Sequence, residues 1–200
     1  MVFSEYYPDD DRGQTHSLEA VVVVGLMVLT LIFSIQATAI TPLTISTSNQ
    51  HIETQQQRMA DGLLSGTAEN SDLKGALLDY NTTEQEFVGA TPDGFIGEFP
   101  DNNFGNELQE TFGERDIAVN VEITYEREQG DSRTFEYIRQ GEPSQNSVSA
   151  TKTVVLYDDM QLTAGNNQEI GETSSYIIPD AYPDSPVYNV VVVRLKLWRI

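Results

Sequence analysis

The stretch Ala20 to Ile40 (AVVVVGLMVLTLIFSIQATAI) carries no charged residue, and none follows it until Glu53. Wound as a helix at ~1.5 Å per residue, it spans roughly 30 Å, the thickness of a bilayer's hydrocarbon core. A helix buried in a soluble core rarely runs this far without a polar face. The stretch is therefore expected to cross a membrane. A secretory signal would carry a positive n-region, a shorter apolar run and a small-residue cleavage site. The flank is instead acidic, with Asp9, Asp10 and Asp11 beside the single base Arg12, and Ala37-Thr38-Ala39 is a poor cleavage match. Removal of the whole stretch, freeing a soluble domain, is the alternative. Arg12 before the helix and Arg58 well beyond it orient the N-terminus to the cytoplasm and the remainder outside the cell.

Charge narrows the partners. The chain has 31 acidic and 11 basic residues, a net charge of −20, and its only lysines are Lys74, Lys152 and Lys196. Crowded acids with scarce lysine suit a protein hydrated in concentrated salt, where screening shortens the reach of self-repulsion. A merely acidic ectodomain from a low-salt organism is the alternative. Such a charge opposes phosphate contacts, so nucleic acid is not an expected partner. Without cysteine, neither a disulfide framework nor a zinc–thiolate centre can form.

No catalytic constellation or cofactor motif is legible. P-loop, GxSxG, HExxH and GxGxxG patterns are missing, and neither His16 nor His51 has an obvious catalytic partner. Asp158, Asp159, Asn166, Asn167 and Glu169 could donate oxygens to Ca²⁺, but not at EF-hand spacing, so no metal site is expected. Asn81-Thr82-Thr83 is a sequon, which makes Asn81 a glycosylation candidate in an external domain.

Periodicity sets the fold. Pro42 is expected to kink or punctuate the long helix. Ile45, Ile52 and Met59 then recur every seven residues, with Leu63 a turn further on, as a narrow apolar stripe ending near Gly62 or Gly66. Short helices are expected over 71–80 and 104–112. Between them lies a turn-rich loop pinned by Phe87, Phe95, Ile96 and Phe99. Alternation over 117–125 predicts a half-buried strand, with a partner over 134–139 after the Gln129-Gly130-Asp131-Ser132 turn. Further strands are expected over 153–157 and 187–198. The Val190–Val193 run of the last one calls for a central position covered on both faces, one by the long helix. The fold class is α+β: a long helix, part transmembrane and part amphipathic, packed on an antiparallel sheet. The expected organisation is a leader (1–13), a transmembrane helix (14–41), its amphipathic extension (42–66) and an external domain (67–200).

Glu19 is the one carboxylate at the mouth of the apolar run. Burial there is costly unless it is paired or near headgroups. An interfacial acid favoured by the helix dipole is the ordinary reading; pairing with a neighbouring subunit is the functional one. Arg12-Gly13-Gln14 ahead of an apolar helix, with Glu19 just inside it, resembles the class III leader of type IV pilins and archaellins. The run Gln14 to Ala20 and the closing Ala37 to Thr44 are similar to pilin-like membrane proteins of haloarchaea. The resemblance implies that a prepilin-type peptidase cuts between Gly13 and Gln14, leaving the helix on the mature subunit. It implies too that helices of like subunits pack together, with Glu19 and Gly25 in the association surface. Glu19 would be the sixth mature residue, one later than in bacterial pilins. The resulting expectation is a single-pass cell-membrane protein, structural rather than enzymatic, whose partners are lipid and pilin-like subunits. A non-polymerising bitopic protein whose external domain binds a partner or ligand is the first alternative, and an anchored enzyme the second.

Overall fold

The computed structural model describes residues 11–164 and 168–200, with side chains from 17 to 36 and from 51 onward. Contacts divide the chain into two units, one ending at His51 and one running from Ile52 to Ile200. The class is α+β, as the periodicities require.

Helix α1 covers Asp11–Glu69. Its helical assignment continues through Pro42, so that proline does not end it: a proline removes one N–H, which a long helix can forgo. Nor do Gly62 and Gly66 stop it. It ends where Asn70 N–H bonds Gly66 O at 3.0 Å and Ser71 turns into the left-handed region at φ 69°. The heptad stripe is corrected as well. Met59 and Leu63 only flank the core, and Ile52 is half-buried, whereas Gln56, Ala60, Leu64 and Thr67 are the deeply buried face. Ala60 and Leu64 are apolar there while Gln56 and Thr67 are polar; Thr67 satisfies its hydroxyl on Leu63 O at 2.9 Å. Ile45 lies outside the described side chains.

Helix α2 (Asp72–Leu78) follows directly. Its last-turn carbonyls have no helical partner, and groups from elsewhere supply one. Tyr137 Oη donates to Ala76 O at 3.4 Å, Tyr176 Oη to Leu77 O at 2.7 Å, and Thr163 N–H to Leu78 O at 3.0 Å. Strands β1 (Tyr80–Asn81) and β2 (Glu86–Phe87) make a two-residue antiparallel pair. The loop pinning is partly corrected: Phe87 and Phe95 are buried, but Ile96 is 57% exposed.

The main sheet has five strands in the order β3-β5-β4-β7-β6. They are β3 (Phe95–Ile96), β4 (Ile117–Glu126), β5 (Ser132–Arg139), β6 (Val148–Tyr157) and β7 (Val187–Arg199). It is mixed rather than purely antiparallel, because β3 runs parallel to β5. Helix α3 (Asn103–Phe112), N-capped by Asn102 Oδ1 accepting from Gly105 N at 2.9 Å, buries Phe104, Leu108 and Phe112. The register places Val121 opposite Leu195 and Ile123 opposite Val193, and all four are buried. Burying each such side chain contributes roughly 1.5–3 kcal/mol. A bulge in the β4–β5 pairing, between Val121 and Glu122, leaves Tyr137 as an extra residue, so Tyr137 and Ile138 both bury.

Strand β7 does occupy an interior position, between β4 and β6. Only one of its faces is fully covered: Val191, Val193, Leu195 and Leu197 are buried, while Val190 and Val192 are half-buried. The other face carries charge. Glu122 bonds Lys196 and lies 3.6 Å from Arg194, and Arg139 reaches Glu136 at 3.5 Å and Glu142 at 2.7 Å.

Candidate functional site

Ser17–Gln36 is apolar and long enough to cross a membrane, with a mean hydropathy of 2.6, and none of it is buried within the chain. Leu18, Val21 and Phe33 are more than 70% exposed. By length and composition this segment suits a membrane span or a signal sequence near the N-terminus. Within it, Thr30 Oγ1 donates to Leu26 O or Met27 O, each at 2.9 Å. That satisfies Thr30 within its own helix. A Cβ built at Gly25 meets nothing within 4 Å, so no contact inside the chain requires glycine there. Glu19 is exposed on the same segment. Gly13 and Gln14 fall in the first turns of α1; the side chains of Gln14, Arg12 and His16 lie outside the described residues.

Asn81 is committed to a turn. Its Oδ1 accepts from Thr83 N at 2.9 Å and Glu84 N at 3.3 Å, and its Nδ2 donates to Glu84 Oε2 at 3.0 Å. The side chain thus builds the β1–β2 connection as an Asx turn. His51 is exposed.

Of the oxygen donors near 158, Asn166 and Asn167 lie outside the described residues. Asp158 Oδ1 is buried without a hydrogen-bond partner among the described residues. Burial first, then the neighbouring Asp180 and Asp159, pushes its carboxyl pKa up. Among the described residues no three His, Asp or Glu side chains converge as metal ligands. An open cleft of about 650 Å³ lies beside α3, lined by Glu98, Asp101, Gln109, Asp116, Gln140 and Ile200 among others. It offers carboxylates and amides without a histidine, lysine or hydroxyl nucleophile in its lining.

Sequence reasoning missed two buried polar anchors. Asn120 accepts from Gln140 N at 2.8 Å and donates to Gly141 O at 2.9 Å. Asn189, fully buried, donates to Glu126 O and Pro179 O, both at 2.8 Å, and accepts from Glu126 N at 3.1 Å. Asn120 sits at an even, polar position of an alternating strand and reads as solvent-facing. Asn189 was visible only as a lone amide within an apolar run.

No curated protein and no solved structure matches the chain. A family pattern does, over residues 12–197, covering both the apolar helix and the sheet. The chain belongs to that family, DUF7288, a family of unknown function.

Proposed function

We propose that this is a pilin-like, membrane-anchored structural protein of the haloarchaeal cell surface. Its helix serves for membrane retention and subunit association. The observation that carries the reading is Ser17–Gln36, apolar and unburied by its own chain, preceded by Arg12-Gly13-Gln14 and opened by Glu19. A segment so exposed needs lipid or other helices around it. In this reading the N-terminus is cytoplasmic, a prepilin-type peptidase removes residues 1–13, and the sheet domain is external.

Two measurements test it. Mass spectrometry of the chain from native membranes is expected to find Gln14 as the first residue; an intact Met1 or Val2 start would leave a simple bitopic protein instead. Glu19→Gln is expected to insert normally but to associate less. If its carboxylate pairs with a neighbour's amine in a poorly solvated bundle, leaving that amine alone costs about 3–5 kcal/mol. An interfacial dipole contact is worth only ~0.3–1 kcal/mol. Equal subunit cross-linking in mutant and wild type, at equal expression, returns Glu19 to the interfacial role.

The acidic surface supports the halophilic part. Stability is expected to fall as salt drops from molar levels to ~0.1 M, where the Debye length grows from ~3 to ~10 Å. A denaturation midpoint flat across that range would contradict it.

A further inference from the structure

Strand β6 closes one end of the main sheet, with β7 on its inner side. Hydrogen bonds to backbone groups fix which of its groups face outward. The Asn189 side chain serves both backbone groups of Glu126 on the β7 side, and Ile200 N–H bonds Asp116 O there at 3.1 Å, whereas Val119 N–H bonds Gln140 Oε1 on the β5 side. Even residues of β4 therefore address β7, and they pair with even residues of β7, such as Asn120 with Lys196. The odd β7 residues must then address β6, through Ala150, Lys152 and Val154. By alternation, the amides of Ser149, Thr151, Thr153 and Val155 point away from the sheet. Ser149 confirms the phase, since its carbonyl is taken from outside by Gln57 Nε2 at 2.9 Å.

Among the described residues, Thr151, Thr153 and Val155 remain as the free edge. Gln57 bounds it at one end and the register shift between Leu156 and Tyr157 at the other. Thr151 and Thr153 are exposed. No described residue covers this row of donors and acceptors, and it has no proline, the kind of edge that accepts another strand. Its charge is unusual for this chain. From Pro143 to Tyr157 and from Ser185 to Ile200 there is no Asp or Glu, and these two stretches hold β6 and its neighbour β7. In a molecule of net charge −20, copies meet with least repulsion where carboxylates are missing.

We propose that β6 pairs antiparallel with β6 of a second copy, about a two-fold axis at Thr153. The free row is symmetric about that residue, so Thr151 faces Val155 of the other copy and Thr153 faces its own counterpart. Every free amide is used, and Ser149 stays with Gln57. The pairing also sets Lys152 beside Val154 of the second copy; an axis at Lys152 would put two lysines opposite one another, which is unfavourable. Thr–Thr and Thr–Val pairs are favourable strand neighbours. The proposal is independent of helix association.

The chain has no cysteine, so single cysteines report proximity cleanly. Full-length Thr153→Cys in membranes at molar salt, treated with a short thiol cross-linker, is expected to form a dimer several-fold more than Thr134→Cys, an exposed site on β5. Thr151→Cys co-expressed with Val155→Cys is expected to cross-link as a mixed pair, and adding Thr153→Pro to both should abolish it. Proline at 153 removes an outward N–H and leaves the β6–β7 ladder intact. Equal yields at 153 and 134, an adduct whose mass is not twice that of the chain, or a mixed cross-link surviving Thr153→Pro in folded protein would each overturn the proposal. Should Thr153→Pro misfold, the single-cysteine comparison still decides. Gly25→Cys cross-linking reports helix association separately, so either idea can fail alone.

Discussion

Asn189→Ala is expected to cost about 3–5 kcal/mol, a large share of the ~5–15 kcal/mol that holds a typical domain together. The amide is fully buried in β7 and serves both backbone groups of Glu126 and the carbonyl of Pro179. Alanine leaves these groups, at the end of β4 and in the segment before β7, without their partner. Each unsatisfied buried group costs ~1–3 kcal/mol, and the cavity adds to it. Asn189→Asp should be at least as damaging, since it replaces a double donor with a charge facing two carbonyl oxygens. The chain's single tryptophan, Trp198, is buried in β7 and gives a direct fluorescence readout of unfolding. A denaturant midpoint for Asn189→Ala within error of the wild type would show that the Glu126 and Pro179 contacts are dispensable.

Alkaline pH should unfold the domain sharply, through its tyrosines. Burial pushes the hydroxyl pKa of Tyr137, Tyr176 and Tyr188 well above the ordinary value of 10.0. Their hydroxyls donate to Ala76 O, Leu77 O and Ile178 O, bonds that a phenolate cannot make. In the unfolded chain these groups lose their protons near pH 10, while the folded chain holds them. Above that pH the folded state binds more protons, so the tyrosines' contribution to stability is constant below about pH 10 and falls as pH rises further. In a spectrophotometric titration, the exposed tyrosines should ionise first and these three together with the loss of circular dichroism. All tyrosines ionising in one step near pH 10, with the fold intact, would contradict the assignment. Tyr176→Phe isolates the strongest of these bonds, and leaving Leu77 O unpaired should cost ~1–3 kcal/mol.

Local pattern carried the sequence a long way where one residue type dominates a face. Phe104, Leu108 and Phe112 recur at helical spacing and are buried together in α3. The odd residues of 117–125 alternate as large apolar groups and line the core side of β4. The buried stripe of α1 was misplaced because two of its four deeply buried members, Gln56 and Thr67, are polar, and a period read from hydrophobic residues passes over them. Ile96 was misplaced for the converse reason: β3 is a two-residue edge strand, and one of its side chains must face outward.

By itself, the sequence determined what depends on neighbours along the chain. Apolar length made Ser17–Gln36 a helix long enough to cross a bilayer, and period gave the two short helices and the main strands. Strand order came only from the tertiary structure. Pairing partners are chosen by contacts between distant residues, so nothing local could say that the last strand enters between β4 and β6, or that β3 lies parallel to β5. The same long-range choice decided which amides are buried anchors, as at Asn120 and Asn189, and left the outward groups of Thr151, Thr153 and Val155 uncovered at the sheet's end.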